Sequence, residues 1–261
     1  MKAPDGKNYT LGRGKLYFDP FAAGTQTLTG QRYFGNTPEF STSSDSEELE
    51  HFDSDNGVNV KDDSVTLSNT RSGSFTTDNI NLDNVALFFL GAKSTLTQTA
   101  LTAQSETRTV KRGRFYQLGQ TDTNPTGYRF LNNVVVKIGS TVVAAANNFE
   151  LDLDTGRIYI EAGAPDIIEG AQLAITYDVK AYTQDRVISS SNEAVGALHF
   201  ESTNPKGKLF DYDWPYVKIT PNGDFSLKSG DDWQTIPFNV EFLKKGSLET
   251  VYITSRGVSA T

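Results

Sequence analysis

Two histidines, His51 and His199, are the only imidazoles in the sequence, and they lie far apart along the chain. The sequence contains no cysteine, which excludes disulfides and thiolate metal ligands. Zinc sites place their Cys, His or carboxylate ligands at short, characteristic spacings, and no such spacing occurs. We therefore predict no metal centre of this kind. We expect His199, between Leu198 and Phe200, to be an ordinary strand residue.

Two acidic stretches resemble the start of a calcium-binding loop. Such a loop has Gly at its sixth position and Glu at its twelfth. Counted from Asp53 or from Asp152, glycine stands fifth, and the twelfth positions hold Ser64 and Gly163. We interpret both stretches as turns, with an irregular calcium site as the alternative.

Signatures of catalysis are missing as well. No Gly-x-Ser-x-Gly elbow occurs, and two histidines leave few ways to form a Ser–His–Asp set. Gly207-Lys208 is followed by Leu209 rather than by Ser or Thr, so it does not match a phosphate-binding loop. The 32 acidic residues make any carboxylate pair uninformative about glycosidase chemistry. We predict that the protein is not an enzyme and needs no cofactor.

The composition limits the partners further. The formal net charge is −8, and an acidic protein binds DNA poorly because phosphate binding needs cations, although it could form a wall past which DNA slides. The longest apolar run covers residues 85–90, far less than the roughly 20 residues that span a bilayer. The first residues lack the apolar stretch of a signal peptide. We expect no membrane segment and assembly in the cytoplasm.

Short apolar runs alternate with clusters of Gly, Asn, Asp, Ser and Thr, a pattern typical of an all-β protein. Gly139-Ser140 and Asp154-Thr155-Gly156 predict tight hairpin turns. Residues 95–106 are polar and alternate only weakly. The predicted strands cover residues 15–18, 32–40, 65–77, 134–138, 141–146, 149–153, 157–161, 171–179, 195–201, 216–220, 224–228, 234–243 and 251–254.

One short helix is predicted at residues 81–90. Asn81 is a suitable N-cap, and Asp83 lies in the first turn, where negative charge suits the helix dipole. Gly91 suits the left-handed position that ends a helix. The apolar residues at helical spacing indicate that the helix flanks a sheet, and they are Leu82, Val85, Ala86, Phe89 and Leu90.

Residues 107–182 form a self-contained block of short strands and turns. We predict that this block is a small β-sandwich inserted into a larger β domain made of residues 1–106 and 183–261. A basic cluster near its start contains Arg108, Lys111, Arg112 and Arg114. This cluster is either a solvated strand end or a surface that contacts a phosphate or an acidic segment of another subunit.

Residues 41–64 carry most of their charge as carboxylates and have few apolar anchors. A loop of this length without a core is usually functional or disordered. It is therefore either a flexible, solvated loop or an arm that orders on a neighbouring subunit. The acidic residues are Asp45, Glu47, Glu48, Glu50, Asp53, Asp55, Asp62 and Asp63, against the single basic residue Lys61.

The order of several weak motifs resembles the major tail tube proteins of long, non-contractile bacteriophage tails. Together these motifs span about two-thirds of the chain. They are Gly14-Lys15-Leu16-Tyr17-Phe18, Tyr33-Phe34-Gly35-Asn36-Thr37-Pro38-Glu39-Phe40, Glu48-Leu49-Glu50-His51, Gly73-Ser74-Phe75-Thr76-Thr77-Asp78, the helix at 81–90, Asn204-Pro205-Lys206-Gly207, Pro221-Asn222-Gly223 and Phe242-Leu243-Lys244. The inserted block departs from the minimal pattern of the family.

The resemblance implies an all-β fold with one flanking helix, of the tail-tube β-sandwich type, in which hexameric rings stack into a conduit for viral DNA. The inner strands of each ring would join into one barrel with an acidic wall, and the inserted block would face outward. The expected partners are further copies of the chain, a tail tip initiator, a tape measure protein, a tail terminator and passing double-stranded DNA that is not bound specifically. The expected location is the tail of the virion, assembled in the cytoplasm of the bacterial host.

The resemblance also assigns roles to residues. The helix residues named above would lie at the seam between subunits. From the charges rather than from the resemblance, we expect the acidic segment to dock on a basic surface, for which Arg108, Lys111 and Arg112 are one candidate. The segment itself would contact the adjacent ring through Glu47, Glu48, Leu49, Glu50, His51, Phe52, Asp53 and Asp55.

Two other classes of function stay open at this point. A β-sandwich adhesin or carbohydrate-binding module could use Trp214, Trp233 and nearby tyrosines as a sugar platform, and ordinary packing at a strand edge is the competing interpretation of these residues. A hydrolase on a β scaffold has no motif in its favour.

Overall fold

The computed structural model describes residues 8–55 and 57–256. The chain divides into two compact units. The first unit is formed by the residues up to Lys93 together with those from Val187 onward, and the second by Ser94–Arg186. The described residues are mostly β-strand with one short helix, which confirms the predicted all-β class.

The strands, numbered in chain order, include several long elements and many of four residues or fewer. Every pairing given between them is antiparallel. They are β1 (Gly14–Pro20), β2 (Arg32–Tyr33), β3 (Glu39–Asp53), β4 (Val60–Thr77), β5 (Ala92–Gln98), β6 (Leu101–Thr109), β7 (Arg114–Gln117), β8 (Leu131–Ile138), β9 (Thr141–Val142), β10 (Phe149–Asp152), β11 (Arg157–Ile160), β12 (Gln172–Val179), β13 (Tyr182–Ile188), β14 (Ala194–Ser202), β15 (Phe210–Pro221), β16 (Ile236–Phe242) and β17 (Tyr252–Ser255).

Eight of the described strands form one sheet in the first unit. Its order is β2-β1-β14-β15-β16-β4-β3, and β17 pairs with the first part of β15. The side chains that alternate inward along these strands build an aromatic core, because successive strand residues point to opposite faces. Phe75 on β4 lies at the centre of this core, with its ring centroid 4.7 Å from that of Phe34 and 5.0 Å from that of Phe238.

The short helix α1 (Leu82–Phe88) packs against this core through Val85, Leu87 and Phe88. The Asn81 side chain accepts a hydrogen bond of 2.8 Å from the Asn84 backbone N–H, so the predicted N-cap is confirmed. The predicted end of the helix is wrong. Leu90, with φ of 48°, takes the left-handed conformation instead of Gly91.

Gly91 serves a different purpose at the end of the helix. Its backbone N–H donates to the Ala86 carbonyl over 2.8 Å. A Cβ at this position would collide with the carbonyl oxygen of Ile188, so only glycine lets the two backbones approach this closely.

The second unit contains a three-stranded sheet, β10-β11-β7, and a four-stranded sheet, β6-β12-β8-β9. One apolar core joins them, with Ile158 and Ile160 contributed by β11 and Leu173 and Ile175 by β12, all four fully buried. The strictly alternating segments thus form the strands that were predicted from their period of two. Gly139 and Gly156 have positive φ, as their predicted turns require.

Several predicted boundaries differ from the structure. The predicted strand at 32–40 consists of β2 and the start of β3 with irregular chain between them, and residues 224–228 are not a strand. The polar residues 95–106 lie largely in β5 and β6, and because β6 pairs with β12 the second unit begins at Ser94, before the predicted residue 107. The chain leaves and re-enters the first unit through β5 and β13, which form a two-stranded sheet.

Candidate functional site

The acidic segment that was predicted as a loop is a long β-hairpin made by β3 and β4. β16 pairs with β4 only from Arg71 to Thr77. From Thr70 back to Val60, β4 pairs with β3 alone among the described strands. We call residues 42–72, apart from Asn56, which lies outside the described residues, the arm. At about 3.3 Å per residue its strands extend about 35 Å from the sheet. The prediction missed it because the segment lacks the apolar alternation by which strands are recognised.

The arm has no core of its own. Each of its described residues is exposed except Asp53, which is half-buried. Cross-strand serine pairs hold its inner end, with Ser43 Oγ 2.8 Å from Ser72 Oγ. A two-stranded hairpin without packing is at best marginally stable in water. The arm therefore depends on backbone pairing and on its attachment to the sheet.

Apolar side chains are concentrated at one place on this polar hairpin. Leu49 stands directly opposite Val65, and these side chains are 62% and 58% exposed. Leu67 lies at the register shift opposite Glu47 and Glu48, and it is 57% exposed. On the face that carries Leu49 and Val65, strand alternation also places Glu47 and the opposed pair His51 and Asp63. This face thus combines an exposed apolar pair with carboxylates on both sides.

The opposite face of the arm is charged and partly self-neutralised. Lys61 Nζ donates to Glu50 Oε1 over 2.8 Å and lies 4.0 Å from Glu48 Oε2. The hydrogen bond to Glu50 raises the pKa of Lys61. His51, two residues after Leu49 on β3, lies on the Leu49 face near the tip, with its Nδ1 2.5 Å from Asp62 Oδ1. The remaining carboxylates are solvated, so the arm keeps a strong negative charge.

Both long edges of the arm carry backbone groups without a strand partner in the described chain. β3 is the last strand of the sheet along its whole length, and β4 has a free edge from Val60 to Thr70. Exposed edges invite pairing with another chain, and register shifts and charged side chains reduce that tendency. The arm has both protections, with register shifts after Glu47 and after His51.

The predicted basic partner surface is mostly engaged within the second unit. Arg108 pairs with Glu106 on the same strand, with a closest N–O distance of 3.0 Å. Arg112 Nε donates to the Ile167 carbonyl over 2.6 Å, whereas the Lys111 side chain is exposed. Two of the three cations thus already have local partners.

The predicted seam residues differ in their exposure. Ala86 is buried, and Leu82, Val85 and Leu90 are half-buried. Phe89 lies just beyond the last helical residue and is 44% exposed, with its ring against Phe88. Only part of this apolar set is therefore available to another subunit.

A groove in the first unit was not recognised in the sequence. It has a volume of about 630 Å³ and lies beside the inner end of β3. The half-buried rings of Phe40, Phe200 and Tyr212 and the buried Trp214 form its floor. The signal was present in the alternation Phe210, Tyr212, Trp214, which places aromatic side chains on one face of β15. The remaining lining residues are Gly12, Arg13, Gly14, Asn36, Thr37, Pro38 and Thr42.

The two tryptophans do not form one platform. Trp214 is 3% exposed and stacks on Phe242 with ring centroids 5.0 Å apart. Trp233 is 87% exposed in irregular chain. His199 lies on β14 as predicted, and its Nδ1 is 2.6 Å from Asp213 Oδ1 on the paired strand β15.

Within residues 8–55 and 57–256, no three or more His, Asp or Glu side chains are grouped as a metal site would require. Among the residues that the structure describes, no helix combines the length and apolar character needed to cross a membrane.

Residues 9–251 match the model of the family described as protein of unknown function UCP028589. The chain belongs to this family. A search of the curated proteins gives no match. The family description assigns no activity, so any function must be inferred from the geometry above.

Proposed function

We propose that the protein is the structural subunit of the tail tube of a long-tailed bacteriophage, in which hexameric rings stack into the conduit for viral DNA. The arm is the observation that carries this proposal. It is a hairpin of about 35 Å with exposed side chains, free strand edges and an apolar pair that its own chain leaves in water. Such a segment gains apolar burial only by contact with another molecule.

The free sheet edges and the motif order of the first unit support self-assembly. Its sheet ends at β3 on one side and at the two-residue strand β2 on the other. Joining sheets from neighbouring subunits into a closed ring would remove such edges, which favours assembly over aggregation. The motif order that resembles tail tube proteins lies almost entirely in this unit.

In this proposal the acidic arm reaches the adjacent ring, and α1 with Phe89 lies at the seam between subunits. Docking of a charged arm is steered by its carboxylates, and the contact compensates for the entropy lost on ordering. A net charge of −8 suits a conduit that DNA passes without specific binding. No step in this role needs a catalytic centre or a cofactor.

The proposal places the protein in the tail of the virion after assembly in the host cytoplasm. Its partners would be other copies of itself, the tail tip initiator, the tape measure protein and the tail terminator. The second unit, Ser94–Arg186, would decorate the outside of the tube.

Negative-stain electron microscopy of the purified full chain, dilute and concentrated, tests this function. We expect hollow rings or tubes with a central channel, more of them at high concentration. A charge-reversed variant, Glu47→Lys with Asp63→Lys, should lower tube formation at low and moderate salt. Compact monomers at every concentration, both alone and with a co-expressed tail tip initiator, would contradict the proposal.

A further inference from the structure

The aromatic groove of the first unit has an open floor and no internal occupant in the described chain. Phe40 contacts Phe200 and Trp214, with ring centroids 5.8 and 5.5 Å away, and Tyr212 stacks on Trp214 at 5.9 Å. These rings are continuous with the core below, so the floor is rigid. None of the described lining residues is a carboxylate.

One cation, Arg13, lines the groove, and two more lie in a loop bonded to its backbone. The backbone N–H of Arg13 donates to Asn204 Oδ1 over 2.8 Å. This bond ties Arg13 to the loop that carries Lys206 and Lys208. All three side chains are exposed, and none lies within ion-pair distance of a carboxylate in the described parts of the chain. We call Arg13, Lys206 and Lys208 the basic rim.

We propose that this groove is the acceptor for the arm of a second copy of the chain. Leu49 and Val65 would pack on the aromatic floor, while Glu47 and Asp63, on the same face of the arm, would pair with the basic rim. The match is one of polarity and charge, because an apolar pair between carboxylates meets an aromatic floor beside Arg13 and the loop of Lys206 and Lys208. This inference rests on the proposed function, since it names the partner surface of the arm.

The arm of the same chain does not reach this groove. Thr42, at the inner end of the arm, lines the groove, and Leu49 is seven residues further along the extended strand β3. At about 3.3 Å per residue, Leu49 lies about 23 Å away. Folding back would break the pairing between β3 and β4, so the occupant must come from another copy.

The absence of cysteine permits a direct test with the full chain. Two variants are made separately, Leu49→Cys on the arm and Thr37→Cys in the groove, then mixed and treated with a short bismaleimide. We expect a crosslinked pair that needs both variants. Glu50→Cys, on the opposite face of the arm, is the matched control and should crosslink much less to Thr37→Cys.

A second measurement uses sedimentation of the uncrosslinked protein. Leu49→Asp should weaken self-association about tenfold or more, because it removes the apolar burial at the contact. Val142→Asp, at an exposed apolar position of the second unit, should leave it unchanged. Glu47→Arg should weaken association, and Glu47→Arg combined with Arg13→Glu should restore part of it.

The outcomes separate this inference from the proposed function. Rings or tubes without a crosslink between positions 49 and 37, and without an effect of Leu49→Asp, would overturn the groove while leaving the tube in place. A crosslinked pair without rings would support the groove and count against the tube. Neither crosslinks nor assemblies would overturn both.

Discussion

The base of the β3–β4 hairpin, residues 39–41 and 73–77, and the arm are made of the same two strands but have different surroundings. At the base, Phe75 is 2% exposed and β4 pairs on both sides, with β3 and β16. In the arm, Leu49 and Val65 remain exposed, and from Val60 to Thr70 β4 pairs with β3 alone among the described strands. The difference shows that backbone pairing between β3 and β4 continues into the arm, although the burial of their side chains does not. Stability should therefore depend on the base, and association on the arm.

The sharpest way to break this comparison is to truncate one apolar side chain in each part of β4. Phe75→Ala should lower the free energy of unfolding by about 3–5 kcal/mol, because it leaves a cavity among Phe34, Phe40 and Phe238. Leu67→Ala in the arm should change it by less than about 0.5 kcal/mol. Urea denaturation of both variants measures the difference. Equal losses would show that the arm is part of the folded core.

A buried and an exposed asparagine make the next pair. Asn84 is fully buried, and its Nδ2 donates to the carbonyls of Phe34 and Asn79 while its Oδ1 accepts from Arg32. Asn84→Ala should cost about 3 kcal/mol, because buried polar groups lose partners. Asn69→Ala, which removes only a bond from Ser46 in the arm, should be close to neutral in the same urea titration. A near-neutral Asn84→Ala would mean that water replaces its bonds.

Gly73 marks the point where the hairpin changes character. A Cβ there would lie 2.7 Å from the Ser41 carbonyl oxygen and 3.0 Å from the Phe242 ring. Gly73→Ala should therefore lower the melting temperature and cost about 2 kcal/mol of unfolding free energy, since the neighbours must shift. Ser68→Ala, further out on the same strand, is the control and should leave the melting temperature nearly unchanged. An unchanged melting temperature for Gly73→Ala would show that the neighbours of Gly73 at the base can shift at little cost.

The smallest expected effect concerns ion pairs and pH. The hydrogen bond from Arg256 lowers the pKa of Asp211 on β15, so the linked stability is present above the unfolded value of about 3.9 and is lost as pH falls through the folded pKa. Asp211→Asn should therefore be less stable than the wild type near pH 7, and the gap should close in acid. Urea midpoints between pH 2.5 and 7 measure it, and a gap independent of pH would contradict this assignment.

The Lys61–Glu50 ion pair on the arm should lose its contribution to stability at high pH, whereas the Asp211–Arg256 pair loses it at low pH. Glu50 raises the pKa of Lys61, so that contribution is complete below the unfolded value of about 10.4 and is lost as pH rises through the folded pKa. Because both side chains are exposed, solvent screens the pair, and Lys61→Gln should leave the midpoint between pH 2.5 and 7 unchanged.

The parts of the fold that could be predicted are those in which local chemistry and tertiary packing agree. The strict alternation of β11 and β12, the turn at Gly156 and the cap at Asn81 each carry a residue-level signal. The arm carries no such signal, because its strands are exposed on both faces and have no apolar side to alternate with a polar one. The left-handed conformation of Leu90 was missed because it depends on tertiary structure. Gly91 is needed for its close approach to the Ile188 backbone, and the left-handed position falls on Leu90.

The candidate site was predictable only in part. The sequence placed the acidic residues in one segment, but which of them share a face with Leu49 depends on the register shifts of the hairpin. The groove joins residues near 13, 40, 200 and 212, which come together only through the order of strands in the sheet. Local patterns do not contain that order.

The pairing of β5 with β13 has a consequence for how this protein could be altered. Because β5 and β13 are paired, the two ends of the second unit lie next to each other. We call this unit the cassette and the paired attachment strands its socket. Replacement of the cassette by a two-residue reverse turn, or by a foreign domain whose termini are adjacent, would make no new demand on the sheet that bears the arm. A lineage could exchange such cassettes while the sheet and the arm stayed the same, and a laboratory could use the same socket to display cargo.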